Sequence, residues 1–184
     1  MKRFIWLIPA LLLLCATARA QNTPAWELGG NYSYLLANTQ ATSFHLHGGG
    51  FSITENLNSW FGGRFQLNAY SGTEAVTAAG VTTNTNVSAQ TYTYGPVFSY
   101  RKLDRVTPYA DVQFGMIHAS QGYLGISSAA AKFAMNAGGG LDFKVGDKWA
   151  IRAQGDYLMS RYLGLRQDNF QFSGGIVYRI GSKK

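Results

Sequence analysis

The chain has 184 residues, of which 14% are charged, with 22 Gly, 11 Tyr and 11 Phe; its 16 basic and 9 acidic residues give a net charge of +7. One cysteine excludes a disulfide framework, and bases scattered singly exclude a nucleic-acid-binding stripe. Past the N-terminal segment no apolar run approaches the roughly 18 residues of a membrane helix, so an apolar, aromatic-rich chain has to place those side chains on strands with one greasy face.

The first element in chain order lies outside the fold. Lys2 and Arg3 precede the apolar run Phe4 to Leu14, and Ala18-Arg19-Ala20 supplies a small-x-small cleavage site. Residues 1–20 are therefore expected to be a secretory signal peptide cleaved after Ala20. Cys15 sits inside it behind Leu14, where a lipoprotein signal has a small residue, so lipidation is not expected. The mature chain, residues 21–184, keeps 13 basic and 9 acidic residues, a net charge of +4, and suits a single domain.

Eight segments of period-two alternation follow. They run near Trp26–Leu36, Ser43–Ile53, Trp60–Ser71, Ser88–Arg101, Thr107–Ala119, Ala131–Lys144, Lys148–Tyr162 and Asn169–Ile180. The connections Thr54–Ser59, Lys102–Val106 and Val145–Asp147 are short and polar. Gly72–Val87, Gln121–Ala130 and Leu163–Asp168 are longer or looser, and only Leu36–Thr42 breaks that contrast. Short turns at one end, longer loops at the other and an even strand count predict a closed eight-stranded antiparallel up-and-down transmembrane β-barrel, all-β, with both termini in the periplasm.

With the first strand rising from the periplasm, every periplasmic strand end carries an aromatic: Trp26, Phe51, Trp60 with Phe61, Tyr100, Tyr109, Phe143, Trp149 and Tyr178. That is the expected girdle at headgroup level. Tyr34, Phe44, Tyr70, Tyr92, Phe133 and Phe170 are the expected second girdle.

The alternation also says which face is wet. Tyr92, Tyr94, Phe98 and Tyr100 oppose Thr91, Thr93, Ser99 and Arg101; Trp149, Ile151, Tyr157 and Met159 oppose Arg152, Gln154, Asp156 and Ser160. An Arg or Lys on the lipid face at mid-bilayer costs about 2–4 kcal/mol, so the charged face is expected to point inward. Eight strands leave an interior that side chains fill. Glu27, Arg64, Asp111, Asp142, Arg152, Asp156 and Arg179 are expected to pair there, with inward glycines making room. "HLHGGG" disturbs the second strand and suggests a bulge.

Signal peptide, eight strands, polar inner face and the closing "SGGIVYRI" resemble the OmpA/OmpX-type outer-membrane barrels. The resemblance implies a final-strand signal for the barrel-assembly machinery, at Ser173, Gly175, Tyr178 and Ile180, with Ile180 where the commoner final residue is aromatic. It implies the bacterial outer membrane, contact with its lipid and lipopolysaccharide, a monomer, and no peptidoglycan-binding domain.

Few residues suggest chemistry, and neither a cofactor nor a metal is expected. His45 and His47 share a strand face but lack a third ligand, so inner-wall positions are expected for them. Gly48–Gly50 and Gly138–Gly140 lack the Lys-Ser/Thr of a phosphate loop and suit barrel kinks. Arg101, Lys102, Asp104 and Arg105 form an expected solvated turn. His118-Ala119-Ser120 resembles the His-x-Ser pair of outer-membrane lipid A deacylases, with both side chains on the lipid face. The family's following Asn is Gln121 here, and after Ser120 no acid follows until Asp142. The leading expectation is a non-enzymatic outer-membrane barrel with a structural and surface-interaction role. A small passive pore is the alternative, and a lipid A acyl hydrolase using His118 and Ser120 the second alternative.

Overall fold

The computed structural model describes residues 23–38, 43–78, 81–123, 126–162 and 165–183; the expected signal peptide lies outside them. Eight strands follow one another as β1 (Trp26–Asn38), β2 (Ser43–Asn56), β3 (Phe61–Ala78), β4 (Val81–Ser99), β5 (Val106–Tyr123), β6 (Ile126–Lys144), β7 (Trp149–Tyr162) and β8 (Leu165–Ile180). Each pairs antiparallel with its neighbours in sequence, and β8 pairs with β1, closing the barrel. Within the closed wall each strand is laddered on both sides, which removes the sheet edges there; above it β3 is laddered to β2 only as far as Ser71 but to β4 as far as Ala78.

The register fixes the tilt. From Asp168 the paired residues run through Met159, Met135, Phe114, Tyr94, Phe65, Ile53 and Leu28, and return to β8 at Tyr178. One circuit thus slips ten residues along β8. A slip of that size means strongly tilted strands and an interior only wide enough for side chains.

Two turns at the end where β8 finishes show why the short connections turn where they do. Asn58 accepts hydrogen bonds on Oδ1 from the backbone N–H groups of Trp60 (3.0 Å) and Phe61 (2.8 Å), an Asx-type turn that hands β2 to β3. Val145 and Gly146 both donate to the carbonyl of Trp149, at 3.0 and 3.2 Å. After β8, Gly181 adopts φ 68°, a left-handed conformation suited to glycine, and Lys183 then pairs with Thr23.

Three expectations need correction. The segments expected to be long loops are mostly strand: β3 and β4 stay paired out to Ala78↔Val81, β5 and β6 to Tyr123↔Ile126, and β7 and β8 to Tyr162↔Leu165. Thr and Val, five and three of the residues Gly72–Val87, favour a ladder even without a strong apolar contrast between faces. The second strand carries no bulge, since Asn31↔Gly50, Tyr32↔Gly49 and Ser33↔Gly48 pair without interruption. Its glycines are there for room. A side chain at Gly50 would meet Asn68 Oδ1, and one at Gly138 would meet Asp156 Oδ1. Phe51 also lies well inside β2, opposite Gly30, because the strand continues to Asn56.

Candidate functional site: the interior and the outer wall

Because the side-chain period is two, each strand sends one set of residues inward, and the inward sets stack in layers. The layer nearest the end that carries Thr23 and Lys183 is ionic. Glu27, 2% exposed, stands among three guanidinium groups: Arg101 Nη2 is 2.9 Å from Oε1, Arg152 Nη2 3.3 Å from Oε2, and Arg179 Nε 3.7 Å from Oε1. Arg152 also grips Asp142 through two bonds, Nε to Oδ1 at 2.7 Å and Nη2 to Oδ2 at 2.8 Å. A bidentate guanidinium–carboxylate pair is among the stronger polar contacts, and in a buried site it offsets part of the desolvation of both charges.

The next layer mixes charge with amides. Arg64 Nη1 lies 3.6 Å from Asp111 Oδ2, and its Nε donates to Thr54 Oγ1 at 2.9 Å. Gln113 donates to Asp111, and Gln154 donates to both oxygens of Asp156, at 3.0 and 2.8 Å. Above these come hydroxyl and amide groups: Tyr70 Oη donates to Gln171 Oε1 at 2.6 Å, and Asn31 Nδ2 to Ser33 Oγ at 2.6 Å. The last layer among the described residues is mostly apolar, with Asn169 opposite Leu158. Leu35, Leu46, Val87, Ala89, Ala134 and Leu158 form one cluster with the Tyr70 ring, and Ile117 packs against it.

All seven expected network residues therefore lie inside. Glu27, Asp142, Arg152 and Arg179 gather in one cluster, and Arg64 faces Asp111. Asp156 takes its hydrogen bonds from the Gln154 amide, where an arginine was expected. Arg101, set by the alternation on the inward face but also expected in a solvated turn, falls just beyond β4 and folds back inside, 5% exposed, onto Glu27 and Asn56. Its parity with Thr91, Val97 and Ser99 gives the correct side, and the turn assignment is the one that fails.

Tyr109 is a second correction. It does not belong to the periplasmic girdle, because the parity that turns Asp111 and Gln113 inward also turns Tyr109 inward and gives Pro108 the outer face. It is 7% exposed, donates from Oη to Gln154 Oε1 at 2.9 Å, and has the Arg64 and Arg152 guanidinium carbons 4.4 and 4.8 Å from its ring centre. Desolvated cation–π contacts of this kind contribute roughly 2 kcal/mol or more. Tyr70 likewise leaves the expected second girdle for the interior, sharing parity with Asn68 and Gln66, while the Phe44 side chain lies outside the described residues.

On the outer wall, Trp26, Trp60, Phe98, Tyr100, Phe143 and Trp149 are exposed around the periplasmic end. Trp60 and Phe98 stack at 6.1 Å, and Trp149 meets Tyr178 at 4.6 Å. Tyr34, Tyr92, Phe133 and Phe170 are exposed on the upper part. In β8, Ser173 and Gly175 point inward and Tyr178 and Ile180 outward. His45 and His47 face outward, where inner-wall positions were expected, because Leu46 between them takes the interior. Each stacks on a tyrosine of β1: His45 on Tyr34 at 5.6 Å and His47 on Tyr32 at 6.4 Å. His118 and Ser120 also point outward, and Ser120 Oγ is bonded to Ser88 Oγ at 2.7 Å across the β4–β5 pair. No group of three or more His, Cys, Asp or Glu gathers in metal-binding fashion among the described residues.

Comparison with known proteins places this geometry. The chain is similar in structure to Neisserial surface protein A (TM-score 0.72, 12% identity, covering 85% of this chain and 97% of that one). It is similar to OprG of Pseudomonas aeruginosa (TM-score 0.62, 8% identity, 90% and 100%). A third likeness is to Ail, the attachment invasion locus protein of Yersinia pestis, solved with the heparin analogue sucrose octasulfate (TM-score 0.59, 16% identity, 85% and 99%). No curated protein sequence matches the chain. The model of the outer membrane protein beta-barrel domain matches residues 7–179, nearly the whole chain, and the protein belongs to that family of outer-membrane barrels.

Proposed function

We propose that this barrel is a non-conducting, non-enzymatic component of the outer membrane that stabilises the envelope and carries its upper hairpins as a surface for interaction. The observation that supports it is the filled interior. An ion cluster, an amide–hydroxyl layer and an apolar cluster succeed one another along the axis, so permeation would require several layers of packed side chains to move together. The passive-pore reading loses its support to the same layers. The hydrolase reading has His118 and Ser120 on one face, but the serine hydroxyl is engaged by Ser88.

The same proposal includes a cleaved signal peptide, action as a monomer, and use of Ser173, Gly175, Tyr178 and Ile180 as the assembly signal read during insertion. Planar-bilayer recording of the folded, heat-modifiable protein tests the central claim. No conductance steps are expected, and steady single-channel steps from folded protein would overturn it.

A further inference from the structure

His45 and His47 were expected inside and stand outside, and the change alters what they can do. Inside, the packed layers would close them off; on the outer wall both rings are exposed. A single residue separates them, so the strand's period of two sets them on one face with Cα atoms about 7 Å apart. His118, the third and last histidine of the chain, stands apart on β5, with β3 and β4 between.

Two features hold the pair in place. Its backbone is fixed, because β2 is laddered to β1 at Leu36↔His45 and Tyr34↔His47 and onward to Asn38↔Ser43. Its rings are backed by tyrosines, His45 by Tyr34 with planes 16° apart and His47 by Tyr32 with planes 25° apart. Imidazoles carried on a strand and held by packing have little freedom left to lose when one ligand joins them.

A third feature points to the chemistry of that ligand. Tyr34 Oη lies 2.8 Å from Nδ1 of His45, which leaves Nε2 for another partner. Whichever of the two groups donates in the free protein, a cation on Nε2 confines the ring proton to Nδ1. The contact then becomes an N–H donated to the phenol oxygen. Metal-bound imidazoles are held in this way, their second nitrogen donating to a nearby oxygen. No tautomer or charge state has to be assumed beforehand, because binding itself selects the neutral ring.

We propose that His45 and His47 form a two-imidazole chelate on the outer wall for a late first-row divalent metal ion, copper(II) above zinc(II), with Tyr34 positioning His45. Imidazole suits both ions, and the order of affinities at such a site places copper(II) first. Two protein ligands leave the remaining positions to water, so the site is open and exchanges its metal. No third His, Cys, Asp or Glu joins the pair among the described residues, which fits an open chelate. The inference asks only that this edge of the wall be reachable from water, and it stands apart from the envelope role proposed above.

The test uses the mature chain without a polyhistidine tag, folded in detergent and titrated with copper(II) in a weakly coordinating buffer. Electron paramagnetic resonance reads the nitrogens on the metal, and dialysis against a competing chelator reads the affinity. Wild-type protein is expected to bind copper(II) through both imidazoles of the pair. His45→Phe and His47→Phe should each weaken binding about tenfold and leave a single imidazole, whereas His118→Phe should change neither readout. Tyr34→Phe keeps the stacked ring and removes the oxygen; it should weaken binding about tenfold with both nitrogens still on the metal. All four positions lie on the exposed wall, and heat-modifiable mobility verifies that each variant folds. No more than one imidazole nitrogen in the wild-type spectrum, or undiminished affinity in both His45→Phe and His47→Phe, overturns the chelate. Undiminished affinity in Tyr34→Phe overturns the role given to that tyrosine.

Discussion

Along β2, β4 and β5 the lower and upper parts of this wall are built with opposite polarity. Below, Glu27, Arg64, Gln66 and Thr93 point inward while Trp26, Phe65, Leu67 and Tyr94 point outward. Above, Leu35, Leu46, Ala89, Ile117 and Leu158 point inward while His45, His47, Gln90 and His118 point outward. The exchange occurs within one or two inward positions: Ser33 to Leu35 on β1, Thr91 to Ala89 on β4, Gly115 to Ile117 on β5, Asp156 to Leu158 on β7, while β8 keeps Gln171 and Asn169 inward. The lower part follows the rule of a chain surrounded by hydrocarbon, and the upper part follows that of a water-soluble barrel. On the outer-membrane placement proposed above, the level at which the pattern reverses is where the solvent changes.

That contrast can be broken by experiment, most severely in the ion cluster. Glu27→Leu leaves Arg101, Arg152 and Arg179 around an apolar side chain, and a buried pair broken on one side loses about 3–5 kcal/mol. Urea unfolding in lipid vesicles, followed by gel mobility, should show the largest loss of the series. An unchanged midpoint would mean that water already solvates the cluster. Next comes an outward charge placed on either side of the reversal. Phe114→Lys should cost about 2–4 kcal/mol, whereas His118→Lys, four residues along the same face, should cost about 0–1 kcal/mol. Equal losses in the same unfolding assay would show that the reversal is not a membrane boundary.

Leu158→Ala removes packing from the upper cluster and should cost about 2–4 kcal/mol without opening conductance, since the ionic layer below still fills the interior. Within the lower part, Tyr109→Phe keeps the ring under two guanidinium groups and loses only the bond to Gln154, a change of about 1 kcal/mol. Tyr109→Leu should lose about 2 kcal/mol more. If the two variants unfold at the same urea concentration, the ring contributes nothing electrostatic.

The reversal also explains what could be foreseen from the residues alone. Strands β4, β6, β7 and β8 carry long stretches in which ring or aliphatic side chains face polar ones, so parity assigned their lower halves directly. His45 and His47 were misplaced because the rule that polar means inside was applied above the level where it ceases to hold. Tyr109 and Tyr70 were assigned by nearness to a strand end, when the parity of Asp111 and Asn68 would have placed them. Arg101 belongs to the interior although it lies past the end of β4, because a long side chain can reach back from a turn. The extensions of β3 and β4 gave no contrast between faces to detect. Nor does parity supply the slip between strands, so it can say that Glu27 faces inward but not that Arg101 and Arg152 are what it meets.

The ion cluster has a temporal side as well. Glu27 sits on the first strand, and Arg152, one of its partners, arrives 125 positions later in the chain. Arg179 comes from the strand that seals the wall, next to the point where Thr23 and Lys183 join the two ends. A partly threaded chain leaves that carboxylate short of countercharges and leaves two ladder edges unpaired, and both defects vanish in the same closing step. The seam thus behaves as a latch: nothing short of the last strand satisfies it, and once shut it holds the beginning of the chain to its end.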